Sequence, residues 1–276
     1  MSTQQLESAR EAWDNIAAGY DQFVAPTEIW LANEALKRAG LRSGERFLDV
    51  AAGPGGLSLP AARLGAKVVA TDWSPTMIAR LEARAREEGL NDVSGRVMDC
   101  HALELDDHTF DVTGSQFGVM LVPDQPLALR EMTRVTKCGG RVLLIAYGAP
   151  NEIEFLHFFI GAIQAIDPDF AGPSDSSPPL EFQVSDPAVL RARLEDAGLT
   201  RVTVDTVTEK LEFRSGEELW NWILFGNPIA SVLTAHLTSE QKIDVSQTLD
   251  GMLRERSVDG GPAILTNPVH IGIGVK

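Results

Sequence analysis

The sequence predicts an α/β protein with a doubly wound sheet of seven strands, the last of them antiparallel, and with helical cap insertions. Apolar runs alternate with amphipathic helical stretches from residue 46 to residue 147. The first apolar run leads into a glycine-rich turn at residues 53–56, and the second run ends in an acid, Asp72. This order of strand, tight turn, helix, strand and acid is typical of the first unit of a Rossmann-like, nucleotide-binding sheet.

The elements up to residue 147 follow from the spacing of apolar residues. Two helices are predicted before the sheet, at residues 4–18 and at residues 27–39, the second capped by Thr27. Strands are predicted at residues 46–51, 67–71, 93–98, 110–115 and 141–147. Helices between them are predicted at residues 55–64, 75–88 and 125–135. Ser74 and Pro75 supply the N-cap and the first position of the middle one of these helices.

The alternation changes after residue 147. An aromatic stretch at residues 155–160 and a Pro/Ser/Asp-rich loop at residues 175–179 indicate an insertion above the sheet. The remaining elements are predicted as a helix at residues 186–197, a strand at 201–207, helices within 215–255 and a last strand at 268–275. No crossover helix immediately precedes that last strand, so we expect it to pair antiparallel.

These elements divide the chain into four parts. The parts are N-terminal lid helices at residues 1–45, a ligand-binding core at 46–147, a cap insertion at 148–185 and a C-terminal completion of the sheet at 186–276. The helices within residues 215–255 are expected to fold over the carboxyl edge of the sheet as a second cap.

Composition narrows the class of protein. The chain has 276 residues, a formal net charge of −15 and a pI of about 4.7. Nucleic acids and anionic membranes both require a basic protein surface, so neither is an expected partner. The two cysteines and five histidines show no metal-ligand spacing, and no metal is expected. A polar N-terminus without a signal-peptide pattern, and the lack of any apolar run near the roughly 20 residues that cross a bilayer, lead us to expect a cytoplasmic protein.

The opening turn and its acid indicate a nucleoside ligand. Gly53 and Gly55 have no Cβ, so the backbone can turn sharply and approach a ligand closely. The helix that follows presents unpaired N–H groups at its start, which suit an anionic group. Asp72 lies 19 residues after Gly53, where the second strand ends, and a carboxylate there can accept hydrogen bonds from both ribose hydroxyls.

Two further residues indicate which nucleoside the site binds. The dinucleotide pattern G-x-G-x-x-G requires glycine at position 58, where this chain has Ser58. Asp49 lies four residues before Gly53 and would repel a pyrophosphate, whereas it would attract an ammonium or a sulfonium group. This combination favours S-adenosylmethionine (SAM) as the cofactor.

The chain resembles the class I SAM-dependent methyltransferases, especially the type that acts in ubiquinone and menaquinone biosynthesis. The resemblance rests on DVAAGPGG at 49–56, on Asp72, on MDCHAL at 98–103 and on the helix and GGR strand at 126–147. The segment from Trp13-Asp14 to Tyr20-Asp21 is also similar to the N-terminal lid of that type. The resemblance covers roughly residues 10–147, and beyond them it extends only to the expected topology.

The resemblance implies a set of cofactor contacts. In that type of enzyme Asp72 would hold the ribose hydroxyls, Trp73 would lie against the adenine, and Asp99 would accept a hydrogen bond from the adenine amino group. The family usually has glycine where Ala51 stands. The expected cofactor-binding residues are Tyr20, Asp49, Ala51, Gly53, Gly55, Asp72, Trp73, Met77, Asp99, Cys100, His101, Gln116 and Phe117.

Methyl transfer from a sulfonium needs alignment and a dry pocket more than acid–base groups. The aromatic cap residues suit a dry pocket, although each could equally belong to an ordinary core. The expected substrate contacts are Tyr20, Met120, Tyr147, Phe155, Phe158, Trp220, Trp222 and Phe225. An acceptor hydroxyl or thiol would need a base, for which His157 and His101 are the candidates.

The sequence therefore predicts a SAM-dependent methyltransferase that acts on an O, N, S or C nucleophile of a small, rather apolar molecule. Ser115-Gln116-Phe117-Gly118 lacks the N/D-P-P-aromatic motif, so adenine and glutamine amides are not expected acceptors. The alternatives are a non-catalytic SAM-binding module and an NAD-dependent oxidoreductase, against which Ser58 and the lack of a Y-x-x-x-K motif both speak. The sequence leaves open whether the protein forms a homodimer.

Overall fold

The computed structural model describes residues 3–170, 172 and 179–276, which form a seven-stranded mixed sheet flanked by helices. The strands are β1 Arg46–Val50, β2 Lys67–Asp72, β3 Val93–Val97, β4 Phe110–Gln116, β5 Thr136–Tyr147, β6 Thr200–Phe213 and β7 Ala263–Val275. The helices are α1 Thr3–Gly19, α2 Ile29–Arg38, α3 Ser58–Arg63, α4 Pro75–Glu87, α5 Gln125–Val135, α6 Glu154–Ile166, α7 Pro187–Asp196, α8 Gly216–Gly226, α9 Pro228–Leu233 and α10 Ser239–Arg256.

The strand order is β3-β2-β1-β4-β5-β7-β6. Strands β1 to β5 pair in parallel, with β1 between β2 and β4. Strand β7 inserts antiparallel between β5 and β6. The predicted fold class, including the antiparallel last strand, is confirmed. Because the order reverses at β1, the carboxyl ends of β1 and β4 face a crevice in which ligands of such sheets bind.

The main core lies on both faces of the sheet. Leu48, Val112 and Leu143 are fully buried at its centre, as expected for parallel strands that are covered on both sides. The predicted start of α4 is confirmed, since Ser74 Oγ accepts the Met77 N–H at 3.0 Å and Pro75 follows it. Met77, Ile78, Leu81 and Ala85 form the buried apolar face of α4.

A second apolar cluster lies in the cap and joins α6, α8 and α10 to the far ends of β6 and β7. Both strands are longer than predicted, because their outer ends continue beyond the central sheet into this cluster. Leu211 and Phe213 of β6 are buried there beside Leu265 of β7. Charged residues alternate with the apolar ones in this part of β6 and face away from the cluster. A search for apolar runs in the sequence therefore misses this part of the strand.

The chain between α1 and α2 differs from the prediction. Residues Tyr20–Val24 form a π-helical turn that continues α1, and α2 begins at Ile29. Thr27 is not the N-cap of α2, because its hydroxyl donates to the Val24 carbonyl at 2.7 Å. The prediction was wrong here because a π-helical turn has no distinct residue pattern. Of the predicted loop at 175–179, residues 175–178 lie outside the described residues.

Among the residues that the structure describes, no helix has the length and apolar character needed to cross a membrane.

Candidate functional site

A cavity of about 680 Å³ lies at the carboxyl ends of the parallel strands and continues beneath the cap. It has two ends of different construction. The first end, which we call the cofactor half, is lined by residues at the carboxyl ends of β1, β2, β3 and β4, including Asp49, Asp72 and Asp99. The second, which we call the acceptor half, is lined from the π-helical turn, α6, α8 and α9, and includes Tyr20, Phe155 and Trp222.

The glycine-rich turn forms the floor of the cofactor half. Ala51, Gly53 and Gly55 all have left-handed backbone angles, with φ of 53°, 53° and 98°. Ala51 and Gly53 line the cavity, as predicted, but Gly55 does not. A Cβ at Gly55 would lie 3.1 Å from both Leu59 and Leu81, so this glycine permits the packing of helix against sheet instead of a ligand approach.

Asp72 is anchored at the end of β2. Its Oδ2 accepts the Gly53 N–H and its Oδ1 accepts the Ser74 N–H, both at 2.9 Å. Burial raises the pKa of this carboxyl to about 6, so it is mostly ionised at neutral pH. Each oxygen keeps a lone pair beyond these bonds, and two such acceptors suit a vicinal diol.

Asp49 lies deeper in the cofactor half. Its Oδ2 accepts a hydrogen bond from Ser58 Oγ at 2.6 Å. Its Oδ1 is buried and has no partner among the described residues. Burial raises the pKa of this carboxyl to about 7. A buried acceptor without a donor is rare in proteins, and here it lines a cavity that could hold a cationic or N–H-bearing ligand.

The residues after β3 form the other wall of the cofactor half. Asp99 Oδ1 accepts the His101 backbone N–H at 2.9 Å and lies 2.7 Å from the His101 Nδ1. The imidazole is thereby fixed, and its Nε2 is buried without a partner among the described residues. Trp73 and Met77 line the same end of the cavity.

Asp99, Cys100 and His101 bring one potential metal-ligand atom each within 4.8 Å of the others. Burial raises the pKa of the Cys100 thiol to about 12, and a metal would require its thiolate. The Asp99 carboxylate already pairs with the imidazole. We assign no metal to this triplet.

The acceptor half holds a buried carboxyl that the sequence did not single out. Glu28 precedes α2, is 5% exposed and lines the cavity. Its Oε1 accepts a hydrogen bond from the Tyr20 hydroxyl at 2.9 Å. Burial raises the pKa of the Glu28 carboxyl to about 8. The only sign of Glu28 in the sequence was that it directly precedes an apolar helical run. An acid at that position is typical of exposed helix N-termini.

A second buried carboxyl lies behind it. Glu209 of β6 is 2% exposed, does not line the cavity and accepts a hydrogen bond from Asn267 Nδ2 at 3.1 Å. Burial raises the pKa of Glu209 to about 7, and its charge contributes to the raised pKa of Glu28.

Aromatic rings form the wall of the acceptor half. Phe117 stacks on Tyr147 with ring centroids 4.4 Å apart, and Tyr147 meets the edge of Phe155 at 5.6 Å. Phe155 in turn meets Trp222 at 5.0 Å. These four rings and Met120 all line the cavity.

Three aromatic residues predicted to contact substrate do not line the cavity. Phe158 packs within the cap cluster. Trp220 lies against Phe159 with ring centroids 6.0 Å apart. Phe225 stacks on Phe23 at 5.6 Å, on the side of α8 that faces α1. Helices buried on several sides carry aromatic residues on every face, so the sequence does not show which of their rings line a cavity.

The comparisons with known proteins agree with this geometry. Residues 3–164 match the model of the ubiE/COQ5 methyltransferase family, which is more than half of the chain. The chain belongs to the ubiE/COQ5 methyltransferase family.

Individual relatives cover less of the chain. An uncharacterized protein of Mycobacterium tuberculosis is 42% identical over 109 residues, which are 40% of this chain and 39% of the relative. The ubiquinone/menaquinone biosynthesis C-methyltransferase UbiE of Bdellovibrio bacteriovorus is 32% identical over 153 residues, which are 52% of this chain and 64% of the relative. The chain thus spans between about two fifths and two thirds of these relatives.

The fold extends over more of the chain than the sequence similarity does. The crystal structure of the YcgJ protein from Bacillus subtilis covers 89% of this chain and 97% of its own, with a TM-score of 0.59 and 19% identity. At that identity the likeness concerns the fold alone.

The N-terminal segment of this ubiE/COQ5 family member is tied to the cofactor half. Asp14 Oδ1 accepts a hydrogen bond from Ser74 Oγ, and Asp21 forms ion pairs with Arg80 at 3.2 Å and with Arg84 at 3.1 Å. Trp13 lines the cavity beside Tyr20, and their ring centroids lie 6.4 Å apart. The segment therefore covers one side of the cavity, and Trp13 is a lining residue that the predicted site omitted.

The two candidate bases lie at different depths. His101 is fixed by Asp99 in the cofactor half, whereas His157 is exposed on α6 at the rim of the cavity. No described residue that lines the cavity is a lysine or an arginine. The ionisable lining residues other than these histidines are Tyr20, Glu28, Asp49, Asp72, Asp99, Cys100, Tyr147 and Glu181.

Proposed function

We propose that this protein is a SAM-dependent methyltransferase that transfers a methyl group to a small, rather apolar acceptor. One observation carries the proposal beyond family membership. The acid-bearing cofactor half opens directly into an aromatic-lined acceptor half, so one cavity can hold both a methyl donor and an acceptor. Gln116, the last residue of β4, and Phe117 after it lie at the junction between the two halves.

The residues of the cofactor half fit SAM. The two oxygens of Asp72 would accept hydrogen bonds from the ribose hydroxyls, and the unpartnered Oδ1 of Asp49 would accept one from the methionine ammonium group. Trp73 and Met77 offer apolar surface to the adenine, and Asp99 offers a carboxylate to its amino group. When bound, SAM supplies an electrophilic methyl group on a sulfonium.

The chain's own residues would then orient the acceptor and exclude water. The Phe117, Tyr147 and Phe155 rings present rigid apolar faces that restrict how an acceptor can lie. The N-terminal segment, which Asp14 and Asp21 attach to the start of α4 and to α4 itself, would help to exclude water by covering one side of the cavity. Alignment and dryness are the two contributions that a displacement at carbon most needs. His101 and His157 stay candidate bases.

Isothermal titration calorimetry with SAM, S-adenosylhomocysteine and NADH tests the proposal. We expect both adenosyl ligands to bind at micromolar concentration and NADH not to bind. Asp72→Ala should abolish this binding, whereas Glu209→Gln, which alters a buried carboxyl outside the cavity lining, should retain it. Failure of the folded wild-type protein to bind either adenosyl ligand would contradict the proposal.

A further inference from the structure

The acceptor half combines aromatic faces with a buried carboxyl and no cationic side chain. Tyr20, Phe117 and Tyr147 present rings, and Glu28 presents its carboxyl group. No lysine or arginine lines the cavity among the described residues. Aromatic faces and carboxylates both attract cations, and both are unfavourable surroundings for an anion.

Glu28 is held by its neighbours at the junction of the two halves. Its Oε1 accepts the Tyr20 hydroxyl. Its Oε2 would lie 3.1 Å from a Cβ built on Gly56, at the end of the glycine-rich turn. Gln116 Nε2 donates to the Glu28 backbone carbonyl at 3.4 Å, and the Gln116 amide also lowers the pKa of the Glu28 carboxyl. The carboxyl group thus lines the cavity where the cofactor half meets the acceptor half.

The charge that develops during methyl transfer discriminates between acceptor classes. A phenolate, thiolate or enolate would place its negative charge beside the Glu28 carboxyl, and no lysine or arginine lines the cavity among the described residues. An uncharged amine nitrogen instead becomes positive as it takes the methyl group. Nearby carboxylates and ring faces stabilise that developing charge, so the site is complementary to the transition state of amine methylation.

We infer that the acceptor is an apolar amine whose nitrogen is bound by Glu28, and that Glu28 accepts the proton which the ammonium form must lose before methylation. The inference rests on the proposed function and specifies its substrate class. Tyr20 acts as a positioning residue, because its hydroxyl fixes the rotamer of Glu28.

The step is balanced. An amine that enters as its ammonium form transfers one proton to the Glu28 carboxylate. The nitrogen lone pair then forms the bond to the methyl carbon as the carbon–sulfur bond breaks, and that electron pair stays on sulfur. The products are S-adenosylhomocysteine and a methylated ammonium ion, and the proton leaves Glu28 for water.

The surroundings of Glu28 allow this proton transfer near neutral pH. Burial raises the pKa of the carboxyl to about 8, and the Glu209 charge adds to the increase. The Tyr20 hydroxyl, the Gln116 amide and the positive charge of Arg84 all lower it. Tyr147 is the other ionisable group near it, and burial keeps its phenol protonated by raising its pKa well above the usual value. Amine binding at pH 7 should therefore release about one proton from Glu28.

Calorimetry on the protein saturated with S-adenosylhomocysteine tests the inference. The probes are matched pairs that share one skeleton: benzylamine with benzyl alcohol, phenethylamine with phenethyl alcohol, and hexylamine with hexanol. We expect the amine of at least one pair to bind about tenfold or more tightly than its alcohol. Repeating the titration in buffers of different ionisation enthalpy should show about one proton released with the amine and none with the alcohol.

Two variants test whether the amine preference and the proton release depend on Glu28. Glu28→Gln should abolish both the amine preference and the proton release. Glu34→Gln removes a carboxyl of α2 that lies outside the cavity lining and should leave both unchanged. Cooperative thermal unfolding establishes that each variant is folded. If the preference survives in Glu28→Gln or disappears in Glu34→Gln, the assignment to Glu28 is overturned.

The outcomes separate this inference from the proposed function. If the wild-type protein binds S-adenosylhomocysteine but prefers no amine of any pair, the amine inference is overturned and the methyltransferase proposal stands. If it does not bind S-adenosylhomocysteine at all, the methyltransferase proposal itself fails.

Discussion

The cofactor half and the acceptor half of the cavity are assembled in different ways. The polar groups of the cofactor half follow consecutive parallel strands, so residues close together in the chain, such as Asp49 and Gly53, also meet in the site. The acceptor half joins Glu28, Phe155 and Trp222, which lie on segments that are distant in sequence. The first half is fixed by local turn geometry, and the second depends on how the cap packs over the sheet.

The two halves also differ in the hydrogen bonds that their carboxyl groups accept. Asp72 accepts two backbone N–H groups, which stabilise its charge. Glu28 accepts the Tyr20 phenol hydroxyl at its Oε1, and burial raises the pKa of its carboxyl. The Asp72 carboxyl is therefore suited to a fixed negative charge, whereas the Glu28 carboxyl is suited to exchanging a proton.

The largest expected effect is the loss of Asp72 from the cofactor half. Asp72→Ala removes two acceptors for the ribose and the anchor of the Gly53 N–H. Hydrogen bonds to a charged group contribute about 1.5–3 kcal/mol each, so we expect affinity for S-adenosylhomocysteine to fall about 100-fold or more. Calorimetry measures this. A decrease of less than about threefold would show that Asp72 does not hold the ligand.

A smaller effect is expected where the end of α1 packs against α8. A Cβ at Gly19 would lie 2.2 Å from the Phe225 ring, so Gly19→Ala must displace α1 from α8 and should lower the free energy of unfolding by about 2 kcal/mol. Gly251 of α10 has nothing within 4 Å of a built Cβ. Gly251→Ala is therefore the matched control and should raise stability by about 0.5–1 kcal/mol. Equal effects of the two substitutions in chemical denaturation would contradict the lid packing.

The buried acids predict an unusual pH dependence of stability. The folded pKa values of Glu28 and Glu209, about 8 and about 7, lie above the unfolded value for glutamate. The folded state thus binds more protons than the unfolded state between about pH 4 and pH 8, so the stability contributed by these carboxyls is lost as pH rises through that window.

The matched double variant tests this pH dependence. Glu28→Gln combined with Glu209→Gln should raise the free energy of unfolding at pH 8 by about 1–2 kcal/mol and flatten its decline. Glu88→Gln serves as the control, because the Arg63 guanidinium lowers the pKa of the exposed Glu88 and this substitution cannot remove the decline. An unchanged slope in the double variant, measured by urea unfolding from pH 5 to pH 8, would contradict the burial of the two acids.

The smallest effect concerns Ala51. Its φ of 53° is unfavourable for a residue with a Cβ, and the family usually has glycine there. Ala51→Gly should relieve this conformation and raise the free energy of unfolding, but by less than about 1 kcal/mol because glycine also gains entropy in the unfolded chain. Thermal unfolding measures it, and clear destabilisation would show that the alanine methyl contributes more through packing than it costs.

The contrast between the halves explains what the sequence could predict. The glycine turn, the acid ending β2 and the N-cap at Ser74 each depend on neighbours within a few residues, so their patterns are readable. The burial of Glu28 depends on a π-helical turn and on a cap that is distant in sequence. The faces of Trp220 and Phe225 could not be assigned, because α8 is apolar on more than one side.

A crystal structure with S-adenosylhomocysteine bound tests the division of the cavity most directly. We predict that the ribose hydroxyls lie on Asp72, that the adenine lies between Trp73 and Asp99, and that the sulfur faces the junction near Glu28 and Phe117. An adenosyl group in the aromatic half, or bound outside this cavity, would contradict the assignment of both halves.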